Sequence, residues 1–287
     1  MSAPRVWLIT GTSSGFGLRF VRSVLRRGDK VIATARNLKS ITHFEPSDNL
    51  RTMELDISAD ETTIRSKAEE ALSLWGRVDV LVNNAGYSLK ILAEDAALVD
   101  FQTQFQTNFY GPAILTNAIL PQMRSRKEGT VVMIGSRSSW NPIQSLSLYA
   151  ASKAALRAYS EALAKELSQF SIRVLIVEPS SFRTEQNVLG YPFQIPENPD
   201  PDYAPMRELI QSKLEALDLK QSGDPDKAVE VIVDVVRGEG TAKGRNWSLY
   251  LPLGREANGD LEAKCETMLN TVKEWRNVTD HLDIDSI

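Results

Sequence analysis

Short apolar runs alternate with amphipathic stretches from Val6 to Val177, and few architectures accommodate that rhythm. Residues 6–9, 30–35, 50–55, 78–82, 130–134 and 172–177 are of strand length and largely apolar, as strands buried on both faces of a parallel sheet must be. Residues 16–27, 60–75, 97–126 and 148–169 carry apolar side chains at helical spacing. In the first of these, Phe16, Phe20, Val21, Val24 and Leu25 share one face. The 97–126 stretch is expected to bend near Gly111-Pro112. The alternation predicts an α/β fold: a Rossmann-type doubly wound parallel sheet with right-handed crossovers and helices on both faces.

Later in the chain the rhythm changes. Residues 185–202 hold Pro192, Pro196, Pro199 and Pro201, and so long a connection inside a compact domain suits a lid or binding loop. Helices are expected at 203–219, 226–237 and 261–276, with a last strand at 247–251, about seven in all. No composition shift divides the chain. The 287 residues are expected to form a single domain, with a substrate lid over 185–220 and a C-terminal helical extension over 255–287.

The first strand runs into Thr10-Gly11-Thr12-Ser13-Ser14-Gly15-Phe16-Gly17, which opens the first helix. Glycines there let the backbone turn tightly, and a helix N-terminus offers unpaired N–H groups and a positive dipole end. Gly11, Ser13, Ser14, Gly15, Phe16 and Gly17 therefore make a candidate pyrophosphate site. The second strand ends Ala33-Thr34-Ala35-Arg36-Asn37, with no acid to bind a ribose 2′-hydroxyl. Arg36, with Ser13 as a second contact, suits a 2′-phosphate, which favours NADP(H) over NAD(H). Asp56, followed by Ile57 after the third strand, is a candidate adenine contact. Asn83-Asn84-Ala85-Gly86 follows the fourth strand at the sheet edge where such folds bind ligands, making Asn83, Ala85 and Gly86 further candidates.

Tyr149 and Lys153 stand four residues apart in a helical stretch, on one face and one turn from each other. A cation beside a phenol favours the phenolate. The tyrosine pKa is expected to fall from about 10 toward working pH, making it a usable general acid or base.

These residues, with Asn108 and Ser136, occur in an order and spacing that resembles the short-chain dehydrogenase/reductase family from about Arg5 to Thr184. The resemblance implies that Tyr149 exchanges the proton at the substrate oxygen and that Lys153 lowers the tyrosine pKa and binds the nicotinamide ribose. It implies that Ser136 orients the substrate oxygen, and that Asn108 kinks a helix and holds a water linking Lys153 to solvent. Pro179, Phe182 and Thr184 would contact the nicotinamide carboxamide and phosphates. The chain departs from the family at Ser180, where a glycine usually follows the proline. The resemblance also implies a homodimer or homotetramer formed through the long helices that start near Ala97 and Leu148.

A carbonyl reductase type of enzyme follows as the expectation: NADP(H)-dependent interconversion of a secondary alcohol and a ketone or aldehyde. The alternatives are a non-catalytic NADP(H)-binding sensor or scaffold on the same fold, and epimerisation or dehydration with tightly held cofactor. Trp140, Leu146, Tyr191 and Phe193 suggest an apolar pocket for a bulky substrate, walled by residues 88–92, 138–147 and 185–202. The formal charge of −4 gives no reason to expect nucleic acid. One cysteine, Cys265, and two histidines give no Cys-rich or His-rich metal site. With no signal-like N-terminus and no membrane-length apolar run, a cytoplasmic location is expected.

Overall fold

The computed structural model describes residues 3–185, 192–217 and 220–284. Seven parallel strands form one sheet: β1 (Val6–Ile9), β2 (Lys30–Ala35), β3 (Leu50–Glu54), β4 (Val80–Asn83), β5 (Gly129–Ile134), β6 (Ile172–Pro179) and β7 (Tyr250–Leu253). Their spatial order is β3-β2-β1-β4-β5-β6-β7. The order reverses between β1 and β4, and a crevice opens there beyond the carboxyl ends of the strands.

Alternation along each strand divides the apolar side chains into two cores. Leu8, Ile32, Met53, Leu81, Met133 and Ile176 face one side, where they meet α2 (Glu61–Trp75), α4 (Gly111–Arg126) and α5 (Ser147–Leu167). Trp7, Ile9, Val31, Val82, Val132 and Val177 face the other, packed by α1 (Gly15–Arg26) and α7 (Pro225–Arg237). The buried indole of Trp7 donates to Asp29 Oδ2 at 2.9 Å, so no polar group is stranded there.

The 97–126 stretch breaks into α3 (Leu98–Phe105), a wide π turn (Gln106–Tyr110) and α4. The bend therefore lies one turn ahead of Gly111-Pro112. The last strand begins three residues later than expected. Its ladder with β6 starts at Tyr250, while Trp247 lies outside the strand with the Arg173 guanidinium 4.3 Å over its ring. Pro252 is tolerated because β7 is the edge strand. Two further helices follow the expected pattern, α6 (Ala204–Leu217) and α8 (Arg255–Thr279). Among the described residues, no helix is long and apolar enough to cross a membrane.

Candidate active site

The turn after β1 and the turn after β4 are bolted together at the reversal point. Thr10 Oγ1 accepts from the backbone N–H groups of Asn84 (3.0 Å) and Ala85 (2.9 Å). Asn84 Nδ2 donates to Thr10 O (2.8 Å) and Gly11 O (3.1 Å). Gly17 packs under this lock: a Cβ there would lie 2.1 Å from Gly11 O, so only glycine lets α1 start so close to the turn. Gly17 does not line the cleft; its part is to place the turn.

A cleft of about 350 Å³ runs across the carboxyl ends of the strands. It is lined by Gly11, Ser13, Ser14, Gly15 and Phe16, by the exposed Arg36, and by Asp56 and Ile57. Asp56 Oδ1 already accepts from Ser58 N (2.9 Å) and Ser58 Oγ (2.6 Å), which fixes the carboxylate at the rim. Ala85 and Gly86 line the cleft as well. Ser136, Tyr149, Lys153, Pro179, Phe182 and Thr184 line the same cleft. Phe182 packs edge-on against Phe16, ring centroids 5.2 Å apart, so the segment after β6 adjoins the start of α1.

Gly15 N–H, at the start of α1, donates to the Glu185 carboxylate at 2.9 Å, and Arg19 pairs with the same carboxylate at 2.9 Å. These contacts hold the Glu185 carboxyl below its ordinary range even though burial opposes them. A negatively charged group already sits where a helix N-terminus binds anions.

Asn83 does not join the cleft. The last residue of β4 points to the α4 side of the sheet, where its Nδ2 donates to Thr116 Oγ1 at 2.9 Å. Strand alternation explains this, and the following residue, Asn84, lines the cleft instead. Asn108 is also buried away from the cleft wall. It sits in the π turn, accepts from Tyr87 N (3.1 Å), and donates to Tyr87 O (3.0 Å) and Ser152 Oγ (3.1 Å). It thereby ties the strand-four turn to α5 one residue before Lys153. The π turn also brings Thr107 to the cleft.

Lys153 is buried, and its Nζ donates to Ile134 O at 2.7 Å. Burial brings its pKa down to about 8. The ammonium lies 5.9 Å from the centroid of the Tyr149 ring. Contrary to expectation, the tyrosine pKa is raised. Burial of the phenol outweighs the opposing hydrogen bond from Ser136, and the Lys153 ammonium is turned to the Ile134 carbonyl. The phenol is therefore held in its protonated form. Ser136, just past β5, is fixed by its own turn, its Oγ accepting from Ser138 N at 3.1 Å.

Ser180 leaves the local backbone intact. It is not in the left-handed region, and its N–H continues the ladder to Leu253 O at 2.9 Å. The space its side chain needs comes from Gly254, where a Cβ would lie 2.3 Å from Ser180 Oγ.

Three segments expected around the substrate come together. Lys90 bridges Phe193, with Gln194 N donating to Lys90 O at 2.7 Å, and Ile91 N donates to Ser145 O at 2.9 Å. Helix α6 is clamped near them by Arg207, which grips Asp95 at 2.7 Å. Tyr191 lies outside the described residues. Leu146 and Phe193 are half-buried and do not line the cleft. Trp140 turns away from it. Its indole donates to the buried Glu178 carboxylate, and its face is covered by Arg157 at 4.0 Å. Ser88, from the expected 88–92 wall, lines the cleft, and so do two residues not anticipated as contacts, Tyr87, which follows Gly86, and Gly135 beside Ser136.

Anion-binding turn, switch-point cleft and Ser–Tyr–Lys cluster define a dinucleotide-binding α/β protein. The family model for short chain dehydrogenases matches residues 5–189, and the chain belongs to that family. A crystal structure of a short-chain dehydrogenase from Streptomyces avermitilis is 36% identical, covers 98% of this chain and 100% of its own, and superposes with a TM-score of 0.84. Human retinol dehydrogenase 8 is 34% identical over 248 residues, 82% of this chain and 78% of its own length. The closed form of a serine dehydrogenase complexed with NADP+ is 27% identical, covers 86% of this chain and 94% of its own, with a TM-score of 0.70.

Proposed function

We propose that this short-chain dehydrogenase is an NADP(H)-dependent oxidoreductase that interconverts a secondary alcohol with its ketone, or a primary alcohol with its aldehyde. The observation that carries the reading is that Ser136, Tyr149 and Lys153 line one cleft together with the turn that starts α1.

The residues present fit the cofactor. The Glu185 carboxylate on Gly15 N–H occupies the place a phosphate oxygen would take, which supports the α1 start as the anion site. Gly15 with Ser14 would hold the pyrophosphate, and Arg36 with Ser13 the 2′-phosphate. Asp56 and Ile57 would border the adenine. Ala85, Gly86 and Lys153 would take the ribose on the nicotinamide side, with Pro179, Phe182 and Thr184 beside the nicotinamide. The NADP+ complex of the serine dehydrogenase supports this choice of cofactor.

When bound, the nicotinamide gives or takes the hydride. The protein's share is placement and proton transfer. Ser136 donates to the substrate oxygen and holds it beside the phenol. In reduction, Tyr149 gives its proton to that oxygen as the carbonyl becomes an alcohol; in oxidation it takes the proton back. The raised pKa suits the first direction, because the phenol enters the reaction protonated. Lys153 supplies positive charge against the phenolate that forms. Asn108 acts through others by fixing Tyr87 and Ser152.

Exposed apolar side chains on α3 and the π turn, Leu98, Val99, Phe101 and Tyr110, support a homo-oligomer built through this side of the molecule. The enzymatic reading is tested by following NADPH absorbance with a panel of ketones and aldehydes. Oxidation of NADPH matched by alcohol formation is expected. Tight NADPH binding with no turnover across the panel would favour a sensor.

A further inference from the structure

Helix α8 leaves the body of the protein soon after it begins. Ala257 is buried, and Arg137 holds Asp260 at 3.0 Å. Leu261 is half-buried, and every residue from 262 to 284 is exposed. This exposed length is not uniformly polar. Met268 is 52% exposed, Val272 49% and Trp275 54%. With Leu261, Cys265 and Thr279 they repeat at alternating intervals of four and three residues, the seam of a helix that packs along another helix. A long helix with no neighbour draws little stability from propensity alone, and this one leaves its apolar stripe in water.

The stripe is also self-complementary. If a second α8 runs antiparallel about a two-fold axis at Asn270, Leu261 faces Thr279 of the second copy, Cys265 faces Trp275, and Met268 faces Val272. The flanking position then sets Glu262 against Arg276 of the second copy, twice by symmetry, and Leu269 against itself. A parallel pairing in register would stack identical residues and give no such match between these flanking charges.

We infer that α8 is a homotypic docking helix, pairing antiparallel with α8 of a second copy of this chain. The exposed charges are of both signs, with Glu262, Glu266, Glu274 and Asp280 against Lys264, Lys273 and Arg276. A helix that lies on an anionic membrane is rich in Lys and Arg on its polar face, which this one is not. The surface lies apart from α3 and the π turn, so this contact is additional to any formed there.

The test is mass in solution by light scattering and sedimentation equilibrium on the full chain. Val272→Asp is expected to halve the mass of the wild-type assembly while NADPH binding stays unchanged. Glu262→Arg alone and Arg276→Glu alone are expected to weaken the contact roughly tenfold each, through two repelling pairs. The double variant E262R/R276E is expected to recover to within a few fold of wild type. A wild-type chain that is monomeric at about 100 μM (a contact weaker than ~5 kcal/mol) overturns the inference. So does an assembly mass that Val272→Asp leaves unchanged. Failure of the double variant to recover, or ready formation of a Cys265–Cys265 disulfide dimer, overturns the antiparallel register.

Discussion

The Glu185 carboxylate accepts a 2.9 Å hydrogen bond from Gly15 N–H at the first turn of α1 and is held there by Arg19. Glu185 follows Thr184, a wall of the cleft. A cofactor phosphate that takes this N–H must first displace the carboxylate, and the two negative charges repel. Glu185→Gln is therefore expected to tighten NADPH binding about three- to tenfold, the scale of one charge-assisted hydrogen bond partly offset by a freed Arg19. Fluorescence titration of bound NADPH measures it, and weaker binding in the variant would count against the displacement.

Tyr149→Phe removes the proposed proton donor and keeps the ring. Ketone reduction is expected to drop by roughly two to four orders of magnitude, with the NADPH dissociation constant within a few fold of wild type. Stopped-flow measurement of the hydride step separates the two. Turnover within a few fold of wild type would sink the role assigned to the phenol.

Lys153 predicts the pH dependence. Burial lowers its pKa to about 8, so the cation is present below that pH and is lost as pH rises through it. The phenol, with its pKa raised, stays protonated over the same range. The rate of reduction is expected to be flat near neutrality and to fall above about pH 8. Lys153→Arg keeps its charge to pH 12 and beyond. In that variant the alkaline limb should disappear, even if the plateau is lower; a limb unmoved would assign it to another group.

Arg36 is an exposed residue of the cleft lining, and no acid stands at the end of β2. Arg36→Asp removes the proposed partner for the 2′-phosphate and puts a repelling carboxylate in its place. The ratio of kcat/KM for NADPH over NADH is expected to fall on the order of 10- to 100-fold. An unchanged ratio would move 2′-phosphate recognition elsewhere, with Ser13 the next candidate.

The fold was legible in the sequence because buried parallel strands must be apolar on both faces, and that signal is strong in β1, β2, β4 and β5. The cleft was legible where glycine and position spoke together, at Gly11, Gly15 and Gly86. Misreadings came where one residue had two physical options. Asn83 and Asn84 are identical in type, and only the register of β4 decides which one faces the cleft. The Tyr149–Lys153 spacing gave their shared face correctly. It could not show that Lys153 turns to Ile134 O or that burial dominates the phenol. Trp140 looked like pocket lining because aromatic residues in a loop often are. Its indole N–H needs an acceptor when buried, and Glu178, distant in sequence, supplies it.

That last contact carries a stability prediction. Glu178 is 1% exposed, and its carboxylate accepts from Ser139 Oγ at 2.6 Å and from the Trp140 indole. Both donors belong to the turn that follows Ser136. Burial pushes the carboxyl pKa up, and the two hydrogen bonds pull it down. Glu178→Ala would strand two donors and leave a cavity, at a cost of about 3 kcal/mol. For a domain of this size, that lowers Tm by on the order of 5 °C or more. Glu178→Gln keeps an acceptor for one donor and should lose less than half as much. Because the same turn sets Ser136, Glu178→Ala should also reduce kcat more than it alters NADPH binding. A thermal melt indistinguishable from wild type would mean that the turn holds its shape without Glu178.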